Sequence, residues 1–426
     1  MLVNNLKGLR AIAVAAAVVA SAMVAGCAST PLPPDLGCGV PGGLCAPAEP
    51  NTSAQRPAPP PPPPPTSAPR SETRTMPVDL YPRTDGSHAA TPGVQARLAL
   101  LLPLQSPSLG QAAEAVRAGF LAGHERDSAG ITVDVVASGD TPESTLEAYT
   151  RAAEQADVVV GPLARSAVAA LAASRFVSKP TVALNHPQTD RPLPANMLVV
   201  GLSLEDEARQ VADWAAQEHP TGRALVVSGN TAWQQRAVGA FTERWARMGR
   251  NNATVELPVN DGYVDGNALA ELRARLEVDR PELVFAALGA SQLRQVRSAL
   301  GTSLPTYAVS AANPGRTPGA AWPELDGIRL LDLPWTVQPD HPQVMVYPRP
   351  LDADTLDMQR LYALGIDAFR VAREVAQHPG TSFELDGVTG RLSVRVDNSG
   401  AYALRRQEAA AVYRDGIGFD TVANGE

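Results

Sequence analysis

The residue types that carry catalysis are sparse in this 426-residue sequence, and their spacing matches no catalytic motif. The sequence contains neither a G-x-S-x-G nucleophile elbow nor a G-x-x-x-x-G-K-[ST] phosphate loop. A serine activated through S-x-x-K is also excluded at Lys179, because Phe176 stands three positions before it. The six histidines show no H-E-x-x-H motif or close pair suited to zinc; they are His88, His124, His186, His219, His341 and His378. We therefore predict a protein that is not an enzyme and has no cofactor and no metal site.

Adjacent carboxylates at Glu205, Asp206 and Glu207 are the remaining group that could do acid–base chemistry. They follow Ser203, which with Asp206 occupies capping-box positions before an amphipathic helix. Negative charges in a first helical turn stabilise the positive end of the helix dipole. The pattern favours this structural role over catalysis.

The three cysteines suggest a different chemistry, because the first one follows an export signal. Residues 11–24 form an apolar run of 14 residues behind two cations, which is shorter than the roughly 20 residues of a membrane-spanning helix. The run ends in V-A-G-C at residues 24–27, which resembles the lipobox of bacterial lipoproteins. That resemblance implies cleavage after Gly26 and a lipid on the Cys27 thiol. Ordinary signal cleavage, with Cys27 as an unmodified thiol, is the alternative.

Two further features concern the exported chain. In such lipoproteins an Asp after the cysteine favours the inner membrane; here Ala28 follows, which implies anchoring on the periplasmic face of the outer membrane. Cys38 and Cys45 are an even pair in an oxidising compartment, so a local disulfide is plausible and two free thiols are the alternative.

A proline-rich segment separates the export signal from the rest of the chain. Residues 28–93 contain 18 of the 39 prolines, seven of them consecutive at residues 59–65. This composition predicts a disordered tether over residues 27–93, behind a signal peptide at residues 1–26. Such a tether spans about 50 Å as a flexible coil and about 200 Å when extended. A passive spacer is the expected role, and a ligand for a proline-binding groove is the alternative.

Residues 94–426 alternate apolar, β-branched runs with amphipathic segments, which predicts an α/β fold. The strand candidates are residues 97–102, 131–136, 157–160, 181–184, 198–200, 224–228, 283–287, 306–309 and 328–331. Continuous apolar strands are typical of parallel sheets covered by helices. The length favours two doubly wound lobes, one formed by about 94–202 and 336–378, the other by about 203–335 and 379–426. Residues 391–407 are predicted to form an antiparallel hairpin.

The charge distribution argues against nucleic-acid binding. The chain carries a formal charge of −8, and no run of clustered Lys or Arg appears in it. A polyphosphate partner would need such a cluster.

Several segments of this body resemble a known family. Residues 97–123 are similar to the opening of type I periplasmic binding proteins, which have a bilobed fold. Further segments are similar, in order, to the LppC/LpoA family; they are residues 157–171, 181–185, 201–215, 240–245, 325–335, 363–372 and 385–394. The resemblance implies an outer-membrane lipoprotein that works beside the peptidoglycan layer, where it binds and activates a class A penicillin-binding protein. The best-known members carry a helical-repeat domain before this body, where this chain has its proline-rich tether.

Solute binding or sensing in a cleft between the lobes is the alternative function. In the bilobed fold, ligands are held by loops that follow the strands. The candidate cleft residues here are Gln105, Ser106, Ser108, Asn185 and Trp233. Structural roles are the alternative reading, with Ser108 capping a helix, Asn185 closing a turn and Trp233 packing within its own lobe. Trp335 is interpreted as packing where the chain crosses between lobes.

Overall fold

The computed structural model describes residues 95–422, except for 140, 188, 190, 316–320 and 351–354. The predicted signal peptide, the proline-rich tether and all three cysteines (Cys27, Cys38 and Cys45) lie outside the described residues. Within the described part of the chain, every helix is too short or too polar to span a bilayer.

The described residues form strands and helices in alternation, as the sequence pattern predicts. The strands are β1 (Ala96–Leu102), β2 (Ile131–Ala137), β3 (Val158–Val160), β4 (Thr181–Ala183), β5 (Met197–Val199), β6 (Ala224–Ser228), β7 (Asn252–Glu256), β8 (Val259–Asn260), β9 (Tyr263–Val264), β10 (Leu283–Ala287), β11 (Thr306–Ala308), β12 (Arg329–Asp332), β13 (Phe383–Asp386), β14 (Arg391–Val396), β15 (Tyr402–Gln407), β16 (Ala409–Arg414) and β17 (Gly418–Val422). The helices are α1 (Gly110–Arg126), α2 (Pro142–Gln155), α3 (Arg165–Ala173), α4 (Leu204–Glu218), α5 (Ala232–Arg247), α6 (Gly266–Asp279), α7 (Ala290–Leu300), α8 (Pro334–Val337), α9 (Pro342–Met345) and α10 (Leu356–Gln377).

The first lobe is built on a five-stranded parallel sheet in the order β2-β1-β3-β4-β5. Side chains of β1 alternate between its two faces: Leu98 and Leu100 join a buried cluster with α1 and α10, while Ala99 and Leu101 join one with α2 and α3. Because both faces are covered by helices, the strands are apolar throughout.

The second lobe contains a seven-stranded sheet in the order β17-β16-β12-β11-β10-β6-β7. The five strands from β12 to β7 are parallel, and β16 and β17 add antiparallel strands at one edge. Helices α4 and α5 pack on one face of this sheet and α6 and α7 on the other. The predicted α/β fold with two lobes built on parallel sheets is confirmed.

The segment after α10 divides between the lobes, unlike the sequence-based assignment of 379–426 to the second lobe. Strands β13, β14 and β15 form a separate antiparallel sheet, including the predicted hairpin of residues 391–407. Its Leu392 and Val394 belong to the buried cluster of the first lobe, and only β16 and β17 join the second sheet. The alternation of apolar residues along these strands fits either lobe, so their burial partner is decided by tertiary packing.

Close contact between α1 and α10 fixes the position of α10. A Cβ atom at Gly365 would overlap the carbonyl oxygen of Val116, and one at Gly119 would overlap that of Tyr362. Glycine at both positions lets the two helix backbones touch. Helix α10 thereby brings its polar side chains to the place where the lobes meet.

Candidate functional site

The described chain passes between the lobes three times, from β5 to α4, from β12 to α8 and from β15 to β16. Buried and partly buried polar side chains collect around these crossings and are called the junction cluster below. Its members are Glu207, Asp332, Arg360, Asp367, Thr389 and Arg406. Buried polar groups of this kind are stable only when they are hydrogen-bonded.

Arg406, near the end of β15, joins the third crossing to the first. Its Nη1 and Nη2 donate to the carbonyl oxygens of Gly201 and Val200 at 2.8 and 2.6 Å, and its Nε donates to Thr389 Oγ1 at 3.2 Å. Burial lowers the pKa of Arg406, although nearby carboxylates such as Glu408 oppose that shift. The guanidinium is therefore held mainly by carbonyl dipoles.

Asp367, on α10, fixes the tight turn before β14. Its carboxylate accepts from the backbone N–H groups of Val388 and Thr389 at 3.2 and 2.7 Å, and from Thr389 Oγ1 at 2.6 Å. Glycine is required beside it, because a Cβ atom at Gly387 would overlap the Asp367 carboxylate. Through Thr389, this turn also contacts Arg406.

Arg360, at the start of α10, joins the first lobe to the second crossing. Its Nη2 lies 2.7 Å from Asp332 Oδ2 and 2.8 Å from the Ser310 carbonyl oxygen. Asn313 Nδ2 also donates to Asp332 Oδ2, at 2.7 Å. Burial alone would lower the pKa of Arg360, but the charge and hydrogen bond of Asp332, together with the nearby carboxylates of Glu207 and Asp357, outweigh burial and raise that pKa.

Glu207 corrects one expectation from the sequence. All three carboxylates lie in the first turn of α4, and Ser203 Oγ caps the Asp206 N–H at 3.1 Å, as predicted. Glu207, however, is only 3 % exposed and accepts from the Ser310 N–H and Oγ at 2.8 and 3.0 Å. Burial, with Asp332 nearby, raises the pKa of Glu207 to about 8. Glu207 is protonated because its face of α4 is buried on the sheet. In that form it adds no negative charge to the N-terminus of the helix.

The chemistry available to the junction cluster is structural. Each of its charged groups is engaged with a neighbouring residue, and the described residues contain no group of three or more His, Cys, Asp or Glu able to hold a metal ion. Such an arrangement sets how the lobes are joined. In some proteins, buried ionic groups of this kind contribute conformational specificity.

Two adjoining cavities of about 770 and 420 Å³ lie along α4, between the second lobe and the β14–β15 hairpin. They share Gln210, Asp213, Arg244, Arg405 and Glu408 and together are called the basic groove. Arginines dominate its charged lining; they are Arg209, Arg244, Arg247, Arg250, Arg391, Arg405 and Arg406.

The predicted cleft residues lie on three separate segments, and none of these residues lines the basic groove, although His186, next to Asn185, does. Gln105 is exposed in the β1–α1 loop, where Ser106 Oγ accepts from the Leu109 N–H at 2.8 Å and lies 3.3 Å from Ser108 Oγ. Ser106 thus closes the loop before α1, whose N-cap residue is Leu109, and α1 has no side-chain cap, so the capping role considered for Ser108 is not observed.

The other two cleft candidates also have structural contacts. Asn185 Nδ2 donates to the Leu163 carbonyl oxygen at 3.0 Å, and Asn185 Oδ1 accepts from the His186 N–H at 2.9 Å. Trp233 is half-buried against the α4–α5 side of its own lobe. Their role in ligand binding stays a prediction.

Trp335 lies where the sequence interpretation put it, in packing between the lobes. It is 1 % exposed, its ring centroid is 5.3 Å from that of Tyr362, and the Arg349 guanidinium lies 4.1 Å from its centroid.

Sequence reasoning missed the junction cluster, although a signal was present. Asp332 ends an apolar strand, and Asp367 interrupts the apolar run A-L-G-I-D-A-F. A charge on a buried face needs a partner, but the sequence does not say which one.

Two lobes with parallel sheets, joined by three crossings, define the class: this is a bilobed protein of the type I periplasmic-binding-protein fold. The model of the family described as "LppC putative lipoprotein" matches residues 93–416. The chain belongs to this family, as the resemblance of its segments predicts.

Solved structures support the same fold. The chain aligns with a structure from Chromobacterium violaceum, described as a "putative branched-chain amino acid ABC transporter", at 34 % identity and a TM-score of 0.63, covering 75 % of this chain and 100 % of that one. It also aligns with the LpoA (YraM) C-domain from Haemophilus influenzae, described as a regulator of PBP1A, at 22 % identity and a TM-score of 0.61, covering 77 % and 100 %.

Among curated relatives, the penicillin-binding protein activator LpoA of Haemophilus ducreyi is 28 % identical over 313 residues. The match covers 70 % of this chain and 50 % of the relative. The chain thus spans about half the length of that relative.

Proposed function

We propose that this protein is a non-catalytic activator of a class A penicillin-binding protein, which regulates peptidoglycan synthesis. The observation that carries the proposal is membership of the LppC family, together with relatives described as penicillin-binding protein activators. The LpoA C-domain described as a regulator of PBP1A aligns over its whole length with the part of this chain that the structure describes. Activation would work by binding an active conformation of the synthase more tightly than an inactive one.

We further propose that the protein is anchored in the outer membrane through lipid on Cys27 and faces the periplasm. The proline-rich tether would then let the two-lobed body reach through the peptidoglycan layer toward a synthase in the inner membrane. Several acyl chains hold a protein stably at a membrane, whereas one chain holds it only marginally. Cys27→Ser should move the protein from the outer-membrane fraction to the soluble periplasmic fraction, with Cys38→Ser as the matched control.

The direct test of activation is enzymatic. The purified full chain in detergent is added to each class A synthase of the source organism, and glycan polymerisation and peptide cross-linking are measured with and without it. We expect binding and a faster rate with at least one synthase, and no conversion of peptidoglycan by the chain alone. Absence of binding and of any rate change with every synthase would reject the proposal.

Solute binding between the lobes is the second candidate function. It is favoured by the 34 % identity to the Chromobacterium violaceum structure described as a "putative branched-chain amino acid ABC transporter". A panel of amino acids tested by thermal shift decides it, because a ligand at 100 times its dissociation constant stabilises the folded state by about 2.7 kcal/mol. Asn185→Ala and Trp233→Ala should then reduce the shift. A panel that leaves the melting temperature unchanged counts against this function.

A further inference from the structure

The basic groove has the size of a ligand site and is lined by both lobes. Its two cavities, of about 770 and 420 Å³, fall within the range of small-molecule and short-peptide sites. Helices α4 and α5 of the second lobe form one wall, and strands β14 and β15, which pack on the first lobe, form the other.

The acidic residues of the groove compensate only part of its positive charge. Three carboxylates each contact an arginine already; the pairs are Asp206 with Arg209, Asp213 with Arg244 at 2.6 Å and Glu218 with Arg329 at 3.1 Å. The fourth acidic residue, Glu408, is buried, and burial raises its pKa, which favours its neutral form.

Three arginines of the larger cavity have no ion pair among the residues that the structure describes; they are Arg250, Arg391 and Arg405. Arg391 and Arg405 are exposed on neighbouring strands, where Arg405 lies opposite Ser393 in the β14–β15 register. The nearest acidic register partner of Arg391 is Asp386, whose Oδ1 lies 3.6 Å from His341 Nε2.

Arg250 is held in place from the opposite wall. Its Nη1 and Nη2 donate to the carbonyl oxygens of His219 and Ala216 at 2.6 and 3.1 Å, and its guanidinium lies 5.0 Å from the centroid of the Trp245 ring. These contacts fix the side chain but do not neutralise its charge. A fixed guanidinium loses little conformational entropy when it binds an anion.

We infer that the basic groove binds a short ligand bearing two or more oxyanions, carboxylate or phosphate, through Arg250, Arg391 and Arg405. Guanidinium groups bind both oxyanions through paired, charge-assisted hydrogen bonds. The excess of arginines in this groove contrasts with the formal charge of −8 on the whole chain. The inference does not depend on synthase activation.

Ligand binding here would also influence the arrangement of the lobes. A ligand that contacts the second lobe through Arg250, in the loop after α5, and the hairpin through Arg405 favours the lobe arrangement in which both contacts are made. The groove is thus placed to couple binding to lobe movement.

Calorimetric titration of the purified full chain at low ionic strength tests this inference. The probes are triglutamate as the carboxylate source, inorganic pyrophosphate as the phosphate source, and trilysine as the cationic control. We expect at least one anionic probe to bind, trilysine not to bind, and the double variant Arg391→Ser/Arg405→Ser to weaken binding at least about tenfold. Binding of triglutamate alone, or of pyrophosphate alone, assigns the oxyanion source and supports the site in either case.

Arg395→Ser is the matched control, because Arg395 is an exposed arginine on the same strand that pairs with Glu384 and lies outside the groove. The affinity of the Arg395→Ser variant for the anionic probe should stay within about twofold of that of the unmodified chain. The inference is overturned if neither anion binds at millimolar concentration, or if Arg395→Ser weakens binding as much as the double variant does. Circular dichroism verifies folding, and the single Arg405→Ser variant carries the same test if the double variant unfolds.

Discussion

Arg360 and Arg406 are both partly buried where the lobes meet, yet their surroundings differ. Arg360 contacts the fully buried carboxylate of Asp332 at 2.7 Å, and its pKa is raised. Arg406 donates to two backbone carbonyl oxygens and a threonine hydroxyl, and its pKa is lowered. Arg360 is thus held by an opposite charge, whereas Arg406 is held by the dipoles of backbone carbonyl groups.

The difference matters for how each contact fails. Removing the carboxylate beside Arg360 leaves a buried charge without its counter-ion, which is among the most destabilising changes in a protein interior. Removing Arg406 deletes the charge itself and leaves carbonyl oxygens with fewer donors, which costs less. The first crossing should therefore tolerate substitution better than the second.

The largest effect is expected for Asp332→Asn. The Arg360 guanidinium would face a neutral amide in a buried site, so the free energy of unfolding should fall by about 3–5 kcal/mol in urea titrations. Asp357→Asn is the control, since Asp357 contacts the same arginine at 3.0 Å but its side chain is 81 % exposed. Its effect should stay below about 1 kcal/mol. Equal effects of the two substitutions would contradict the assigned role of Asp332.

Arg406→Gln should lower the free energy of unfolding by about 2–3 kcal/mol, because the Val200 carbonyl group loses its Arg406 donor and the Gly201 carbonyl group keeps only His186 Nε2, at 3.1 Å. The neighbouring Arg405 is exposed, so Arg405→Gln should change stability by less than about 0.5 kcal/mol. Denaturant unfolding of both variants checks the difference. A loss for Arg406→Gln as large as that for Asp332→Asn would remove the distinction between the two arginines.

Glu207 should make the stability of the chain depend on pH, since burial and the charges of Asp332 and Arg360 act on its pKa. Its pKa is about 8 in the folded state against 4.5 as the ordinary value. The folded state therefore binds more protons between these values, so the stability is fully present below the lower pKa and is lost as pH rises to the higher one. Relative to Glu207→Gln, the unmodified chain should lose about 2 kcal/mol of unfolding free energy between pH 6 and pH 8. Parallel pH profiles for the two proteins would contradict a protonated Glu207.

The smallest effect is expected for Thr389→Val, at about 1 kcal/mol. The substitution keeps the shape of the side chain but removes the hydroxyl that donates to Asp367 at 2.6 Å and accepts from Arg406 Nε at 3.2 Å. Thr389→Ser keeps the hydroxyl and should retain most of the stability. Thermal unfolding of the two variants compares them directly, and an equal loss would mean that the hydroxyl is not what matters.

All nine strands that the sequence predicts from continuous apolar runs are present, close to their predicted bounds. Strand β7, N-A-T-V-E, was missed because it is half-exposed and lacks an apolar run. Strand β16, A-A-A-V-Y-R, was missed although it is apolar, because alanine favours helices and is depleted in strands. In the structure, β7 is defined by its pairing with β6, and β16 by its pairing with β12.

The candidate sites were less predictable from the sequence than the strands. The loop positions of Ser106 and Asn185 followed from the strands before them, but their hydrogen bonds serve the loops themselves. The basic groove had no sequence signal, since Arg250 and Arg405 are far apart in the chain and neither belongs to a motif.

Local patterns of apolar residues and the order of a few segments were enough to predict the alternation of strands and helices, the α/β class and the family. Which charged side chains meet in the interior depends on tertiary packing. Arg406 and the Gly201 carbonyl oxygen are 205 positions apart, and Arg360 and Asp332 are 28 apart. Such partners are chosen by the packing of α10 and the hairpin against the lobes, and burial then makes each pairing energetically necessary.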